Sequence, residues 1–273
     1  MRYLLEKKLM RPLEDKTRKS QRIFLFLDYD GTLTSIQRTP DLALLSSPMR
    51  RILKHLSSLP EIVLSIISGR ALKEIERLVN LKGLNYIGNH GLEMKIGGEM
   101  DEIPQARRIR KTMSLFYQKI KQRTKEIPGV LLENKGLTLG IHYRLAKSKQ
   151  LSELRKIIIS ILSPFNKDYE LRTGKKVLEI RPKTRRNKGW AVNKIIRQYN
   201  SRKKQRTLYF YFGDDLTDED AFELTNSKGG HSILVNRGYR DSQAHYYLHG
   251  PKEVRFFLTW LKKRIIQKNR ENL

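Results

Sequence analysis

Phe24-Leu25-Phe26-Leu27-Asp28-Tyr29-Asp30-Gly31-Thr32-Leu33 opens with an unbroken apolar run and then changes character at Asp28. A short apolar run that breaks into turn chemistry reads as a strand buried on both faces of a parallel sheet, here Ile23 to Leu27. Ligands of such sheets gather outside the carboxyl ends of the strands. Two carboxylates two residues apart at that edge are costly unless compensated, and a divalent cation is the simplest compensation. Asp28 and Asp30 are therefore the first candidates for chemistry.

Two further stretches repeat the pattern. Ile62 to Ile67 is apolar and closes on Ser68-Gly69-Arg70, and Thr207 to Phe212 closes on Gly213-Asp214-Asp215. If the three strands share one parallel sheet, Asp28/Asp30, Ser68 and Asp214/Asp215 converge on one edge. Helical spacing appears over Met49–Leu59 and Ala71–Val79, then over Gly189–Tyr199, which follows Asn187 and Lys188, and over Val254–Ile266. Between about Asp101 and Pro182 the texture changes to helix-strand-strand, given twice, which predicts a four-stranded antiparallel sheet with helices on one face. The expected architecture is α/β: a catalytic core from residues 23–101 and 183–273, interrupted by an inserted α+β cap over 102–182. Residues 1–22 read as a basic, helical lead-in.

Attack on a phosphate monoester needs a nucleophile, charge neutralisation on the non-bridging oxygens and a proton for the leaving group. Asp28 is the candidate nucleophile, through an aspartyl-phosphate. Asp30 is the candidate acid/base that protonates the leaving alcohol and then activates water. Mg²⁺ is the expected cofactor, held by Asp28, Asp214 and the Asp30 backbone carbonyl, with Asp215 and Asp218 as additional carboxylates nearby. Ser68 and Lys188 can hold phosphoryl oxygens. Each has a plainer alternative. Ser68 could cap the helix that starts near Ala71, Lys188 could be a solvated surface lysine, and Asp218 and Asp220 could serve only the dipole of the helix they begin. His90 and His142 could be ordinary buried histidines.

The Asp-x-Asp-Gly-Thr-Leu start, Ser68, Lys188 and Gly213-Asp214-Asp215 resemble the four motifs of the haloacid dehalogenase superfamily. The finer pattern is similar to the trehalose-6-phosphate phosphatases. It covers Asn89-His90-Gly91-Leu92-Glu93, Glu133-Asn134-Lys135-Gly136, His142-Tyr143-Arg144, Val177-Leu178-Glu179-Ile180-Arg181-Pro182 and Gly213 through Glu219. The resemblance implies a Rossmann-like core, hydrolysis of trehalose 6-phosphate to trehalose and phosphate, and a sugar-reading set. Arg70, Asn89 and His90 would come from the core, and Glu133, Lys135, Arg144 and Glu179 from the cap. The competing reading of the cap residues is a cross-strand ion-pair ladder that joins Glu133 and Lys135 to Arg144. Within the same fold, sucrose or glucosylglycerol phosphate is an alternative substrate.

Composition narrows the rest. There is no cysteine, so disulfides, thiolate metal sites and cysteine nucleophiles are excluded. No apolar run is long enough to span a membrane, and the first twenty residues have no signal-peptide core, which reads as a cytoplasmic protein. Fifty-six Lys and Arg against twenty-eight Asp and Glu give a net charge of +28. That balance leaves a nucleic-acid partner open. However, the basic residues are spread over Lys7–Arg18, Arg107–Lys125, Arg185–Lys204 and Lys262–Arg270, and no zinc-finger or RNP signature accompanies them. A basic nucleic-acid-binding protein with a vestigial site is the alternative from another class. A small-molecule sugar phosphate remains the expected partner.

Overall fold

The structure is a computed structural model that describes residues 1–37, 39–174, 176–200, 205–236, 238 and 240–271. The end of the third basic run, residues 201–204, lies outside the described residues. The chain opens with β1 (Arg2–Tyr3), α1 (Lys7–Lys19) and β2 (Arg22–Asp28). There follow α2 (Ser47–Ser57), β3 (Ile62–Ile67), α3 (Leu72–Val79), β4 (Asn85–Gly88), β5 (Glu93–Ile96) and β6 (Glu99–Glu102). The middle of the chain gives α4 (Ala106–Arg123), β7 (Leu131–Asn134), β8 (Leu139–His142), α5 (Leu151–Leu162), β9 (Tyr169–Gly174) and β10 (Val177–Pro182). The last part gives α6 (Lys188–Asn200), β11 (Thr207–Gly213), α7 (Glu219–Ser227), β12 (His231–Val235), β13 (Tyr246–Leu248) and α8 (Pro251–Glu271).

These elements form two compact units, residues 1–101 with 186–273, and residues 102–185. In the first, the described strands make one sheet in the order β1-β13-β12-β11-β2-β3-β4-β5-β6. Pairing is parallel from β1 through to β4, and β5 returns antiparallel on β4. The α/β class expected from the three apolar strands is the class observed.

The sequence of β2 shows why it sits at the centre. Its residues alternate between two cores, and both cores are apolar. Ile23, Leu25 and Leu27 pack into a layer with Leu53 and Leu56 of α2 and with Phe257, Leu258 and Leu261 of α8. Phe24 and Phe26 pack into the opposite layer with Ala191, Val192 and Ile195 of α6 and Phe222 of α7. Each such side chain, removed completely from water, contributes roughly 1.5–3 kcal/mol. A strand with both faces covered is thus strongly specified in register, and register is what aligns the functional edge.

The first twenty-two residues are part of this unit and not a separate lead-in. Arg2 and Tyr3 pair with Tyr246 and Tyr247, which makes β1 the outermost strand of the sheet. α1 buries Leu13 and Thr17, and its charges are anchored by Arg18–Glu271 at 2.9 Å and Arg264–Glu14 at 3.2 Å. A two-residue strand is too short to show period-two alternation, so only the helix was legible there.

His231 opens β12 between two rings, 5.3 Å from Phe210 and 5.5 Å from Tyr246 by centroid. Burial, helped by Lys16, His245 and Arg2, lowers its pKa to about 4. Its ring is therefore neutral in the folded chain at pH values where the unfolded chain binds a proton. Stability should be lost as pH falls from about 6.5 toward about 4, by roughly 2–3 kcal/mol at most. His231→Phe should remove that part of the acid sensitivity. Urea midpoints for both proteins at about pH 7 and about pH 4.5 test this, and parallel losses would refute the assignment.

The second unit has its own sheet, in the order β7-β8-β10-β9, antiparallel throughout. Leu139, Ile141, Leu178 and Ile180 are buried, with α4 packed on β7 and β8 and α5 on β9. Phe116 of α4 meets Phe165 and Tyr169 edge-on at 5.1 and 5.4 Å. With one face covered, the other is left to polar residues, and Glu133, Gly140, Glu179 and Arg172 lie abreast across it.

Candidate active site

Parallel register brings the carboxyl ends of the core strands level. Asp28 pairs with Ile67 and Leu27 with Phe212, so Ser68 and Asp214 each follow directly on the row that Asp28 closes. The chain then turns sharply. Leu33 and Thr34 return their amides to the Tyr29 carbonyl, and the Gly31 amide donates to Thr34 O at 2.8 Å. Gly31 has φ +90°, and a Cβ there would come within 2.0 Å of an Asp214 carboxylate oxygen. Only glycine lets the first motif close against the last.

Asp28, Asp214 and Asp218 form a buried cluster whose carboxylate oxygens lie within 4.8 Å of one another. Lys188, the first residue of α6, is buried among them. Its ammonium reaches Asp28 Oδ1 at 2.8 Å and Asp218 Oδ1 at 2.7 Å. Burial works against that charge, yet Asp218 and Asp28 outweigh burial and hold the ammonium protonated far above its ordinary range. The surface-lysine reading of Lys188 is thereby ruled out. At Asp28 the balance goes the other way. Burial pushes its carboxyl well up, Asp218 and Asp214 add to the rise, and Lys188 opposes it without cancelling it.

Asp218 is a positioning group. Its Oδ1 accepts from Lys188 and from Tyr211 Oη at 2.7 Å, and its Oδ2 accepts from the amides of Asp214 and Asp215 at 3.1 and 3.0 Å. Both oxygens are committed, so Asp218 is spent on holding the Gly213-Asp214-Asp215 corner and Lys188. A Cβ on Gly213 would meet the Asp218 Cγ at 2.3 Å, which explains glycine at the end of β11. Asp215 caps the short turn Leu216–Asp218 with a bond from the Leu216 amide at 2.7 Å and lies outside the acidic cluster. The Asp218 side chain completes the capping box by accepting back from the Asp215 amide. Asp220, in the first turn of α7, has its carboxyl raised by burial to about 6.

The donor set fits a hard divalent cation. Asp28 Oδ2 is buried and has no hydrogen-bond partner among the described residues, while its other oxygen is held by Lys188. An unpartnered buried carboxylate oxygen beside a second acid, with a raised pKa, is a donor set that a positive charge would stabilise.

Ser68 is buried, and its hydroxyl accepts from the Arg70 amide at 3.1 Å. It does not cap α3, whose first amide is taken by Glu93 Oε1 at 2.8 Å. Asn89 is fully buried and donates to that same Glu93 oxygen at 2.6 Å. Its side chain is thus engaged in joining β4, β5 and the start of α3. His90 sits at φ +59° with its ring against Gly69. Arg70 forks onto Asp30, with Nε to Oδ2 at 2.7 Å and Nη2 to Oδ1 at 2.9 Å, and also pairs with Glu74. It packs over the Tyr29 ring at 5.7 Å. Arg70 therefore bonds to Asp30 in this structure, where the resemblance implied a sugar.

In the second unit, Lys135 Nζ donates to Glu179 Oε1 at 2.8 Å and lies 4.0 Å from Glu133. Burial disfavours its charge, but Glu179 and Glu133 more than compensate and raise its pKa. His142 Nε2 hydrogen-bonds Glu133 Oε2 at 2.7 Å, and Arg181 pairs with the other Glu179 oxygen. Arg144 is exposed beyond the end of β8. On the open sheet face a ladder runs His142-Glu133-Lys135-Glu179-Arg181, which adds His142, Glu179 and Arg181 to the residues expected there. Alternation along Val177–Pro182 already put Glu179 and Arg181 on one face and was the available clue for Arg181. Tyr211, inside an apolar strand, gave no such sign.

The first unit thus gathers Asp28, Lys188, Asp214 and Asp218, with Ser68 one residue past the next strand. The second gathers Glu133, Lys135 and Glu179. The family description "Trehalose-phosphatase" matches residues 26–252. Trehalose-phosphate phosphatase B of Arabidopsis thaliana is 32% identical over 261 residues, which covers 90% of this chain and 69% of that protein. The trehalose-6-phosphate phosphatase C-terminal domain of C. albicans superimposes with a TM-score of 0.80 at 29% identity, over 93% of this chain and 97% of that one. A trehalose-6-phosphate phosphatase related protein superimposes at 0.77 with 27% identity, over 90% and 99%. Since the match runs through both units and through every strand end that carries an acid of the site, this chain belongs to the trehalose-phosphatase family.

Proposed function

We propose that this protein hydrolyses trehalose 6-phosphate to trehalose and phosphate, with Mg²⁺ and through an aspartyl-phosphate on Asp28. The observation that carries the reading is the buried Asp28–Lys188–Asp218 chain beside Asp214, which leaves one Asp28 oxygen without a partner among the described residues. Asp28 attacks phosphorus, and the bond to the sugar oxygen breaks. Asp30 gives that oxygen its proton and then takes one from the water that attacks the phosphorylated Asp28, which frees phosphate. Acid work by Asp30 requires the Arg70 fork to release it. Lys188 and the Ser68 hydroxyl hold non-bridging oxygens, and Lys188 also lessens the cost of ionising Asp28. Mg²⁺ held by Asp28, Asp214 and the Asp30 carbonyl would add positive charge against the phosphate oxygens. Residues 102–185 act as the cap, where Glu133, Lys135, Arg144 and Glu179 read the hydroxyls of the disaccharide.

Phosphate release over a panel of sugar phosphates, each with Mg²⁺ and with EDTA, tests substrate and metal together. Trehalose 6-phosphate should lead the panel, and EDTA should silence every substrate. A faster sucrose or glucosylglycerol phosphate would overturn the sugar, and EDTA-resistant turnover would overturn the metal. Glu133→Ala in the same panel should lower turnover of trehalose 6-phosphate by about tenfold or more while sparing p-nitrophenyl phosphate. Equal losses on both would make Glu133 a support of its own sheet.

A further inference from the structure

A groove of about 410 Å³ runs along the surface between α2 and α8, on the layer of helices formed by these two and α1. Its lining has helical periodicity on both sides. α2 presents Pro48, Arg51, Ile52 and His55, and α8 presents Lys252, Arg255, Phe256 and Thr259, each a set at i, i+3, i+4 and i+7. Lys262 extends the second stripe by a turn. The opposite faces of the same helices supply Leu53, Leu56, Phe257 and Leu258 to the core, so the groove is a second, outward-facing apolar seam. Phe256 is 61% exposed in it, an unusual placement for so large an apolar side chain.

Charge is what identifies an occupant. Every ionisable group lining the groove is basic. Arg51, Lys252, Arg255 and Lys262 take part in none of the ion pairs among the described residues. Three acids of α1 and α8 are engaged elsewhere. Glu253 accepts from Tyr3 Oη and from the His249 amide, Glu14 pairs with Arg264, and Glu271 pairs with Arg18. Cations held beside an apolar floor, with no acid to neutralise them, complement a ligand that is both apolar and acidic. A second copy of this chain is a poor match, because its +28 charge would be brought against the same cations. A single-stranded nucleic acid would want a row of stacking rings, and the groove has one phenyl ring.

We propose that this groove docks an acidic amphipathic helix of another protein, with its apolar stripe on Ile52 and Phe256 and its carboxylates against Arg51, Lys252, Arg255 and Lys262. Two helices with matched i, i+3, i+4, i+7 stripes form the cleft into which a third helix packs. None of these residues belongs to the phosphatase site, so docking and turnover are separable.

The test is fluorescence anisotropy with the full chain and three probes at about 0.15 M salt, where bulk charge attraction is screened. The first is a labelled peptide of about four helical turns with leucines at i, i+3, i+4 and i+7 and glutamates elsewhere. The second has the same composition in scrambled order, and the third is an oligothymidylate of equal charge. The patterned peptide should bind about tenfold or more tightly than the scrambled one, and Phe256→Ser or Arg255→Glu should each weaken it by about tenfold. Phosphate release by both variants should equal that of the wild type, which shows that they fold. Equal binding of patterned and scrambled peptides would reduce the groove to bulk charge and overturn the proposal. So would an oligothymidylate that binds best and is lost in the same variants, since the groove would then be a nucleic-acid site. Variants that bind the peptide unchanged, or failure of any probe to bind, would overturn it as well.

Discussion

Asp28→Asn should lower turnover by at least about 10⁴-fold while the protein stays folded. The two halves of that expectation come from one environment. The amide is close in shape to the carboxylate and keeps an oxygen for the Lys188 ammonium, which also retains Asp218 at 2.7 Å. Burial already pushes the Asp28 carboxyl well up, so loss of its charge relieves a desolvation cost while it forfeits an attraction to Lys188. Thermal stability should therefore change little, and could rise. Chemistry has no such compensation, because an amide neither attacks phosphorus nor accepts it as a leaving partner. Steady-state phosphate release and a thermal melt on the same preparation decide the matter. Turnover within about tenfold of the wild type would remove Asp28 as the nucleophile, and a collapsed melt would show that its role is structural.

Lys188→Met has the opposite profile and should be costly in both respects. It leaves Asp28 and Asp218 buried with the cation between them gone, and removal of one member of a buried pair costs about 3–5 kcal/mol. The penalty carries a pH signature. Without Lys188 the folded chain holds Asp28 protonated to higher pH than the unfolded chain does. The variant's deficit should thus grow as pH rises through the folded pKa and shrink as pH falls toward the ordinary aspartate value, about 4. Urea unfolding at about pH 5 and about pH 8 reads this directly. A deficit independent of pH would mean that Lys188 acts by packing alone. Turnover should fall by about 10³-fold or more, since the phosphate loses its fixed ammonium.

The strand ends of the core were legible because burial on both faces demands apolar runs, and an acid that ends such a run stands out. Asp28, Ser68 and Asp214 were found this way, and parallel register then brought them level. The work of Asp218 was not legible. An acid in a first helical turn looks the same in sequence whether it serves a dipole or, as here, takes Lys188, Tyr211 and two amides. Arg70 taught the converse lesson. The family resemblance implied a reader of hydroxyls, but the geometry gives its fork to Asp30, forty positions away, and no spacing rule reports such a pair. In the second unit alternation revealed which face each residue takes. The partners along that face, His142 with Glu133 and Arg181 with Glu179, depend on rotamers that pattern does not encode.

Asp101 and Arg186, the last core residue before residues 102–185 and the first after them, are joined by an ion pair at 3.1 Å, and Lys194 adds a second contact to Asp101 at 2.8 Å. The chain thus leaves the core and comes back to it at one riveted point. An insertion with its two ends fastened side by side is a cassette: it can be lengthened, shortened or exchanged without moving a strand of the host sheet. Natural variation can rewrite residues 102–185 wholesale while Asp28, Lys188 and Asp214 stay untouched, because all three lie in the host unit.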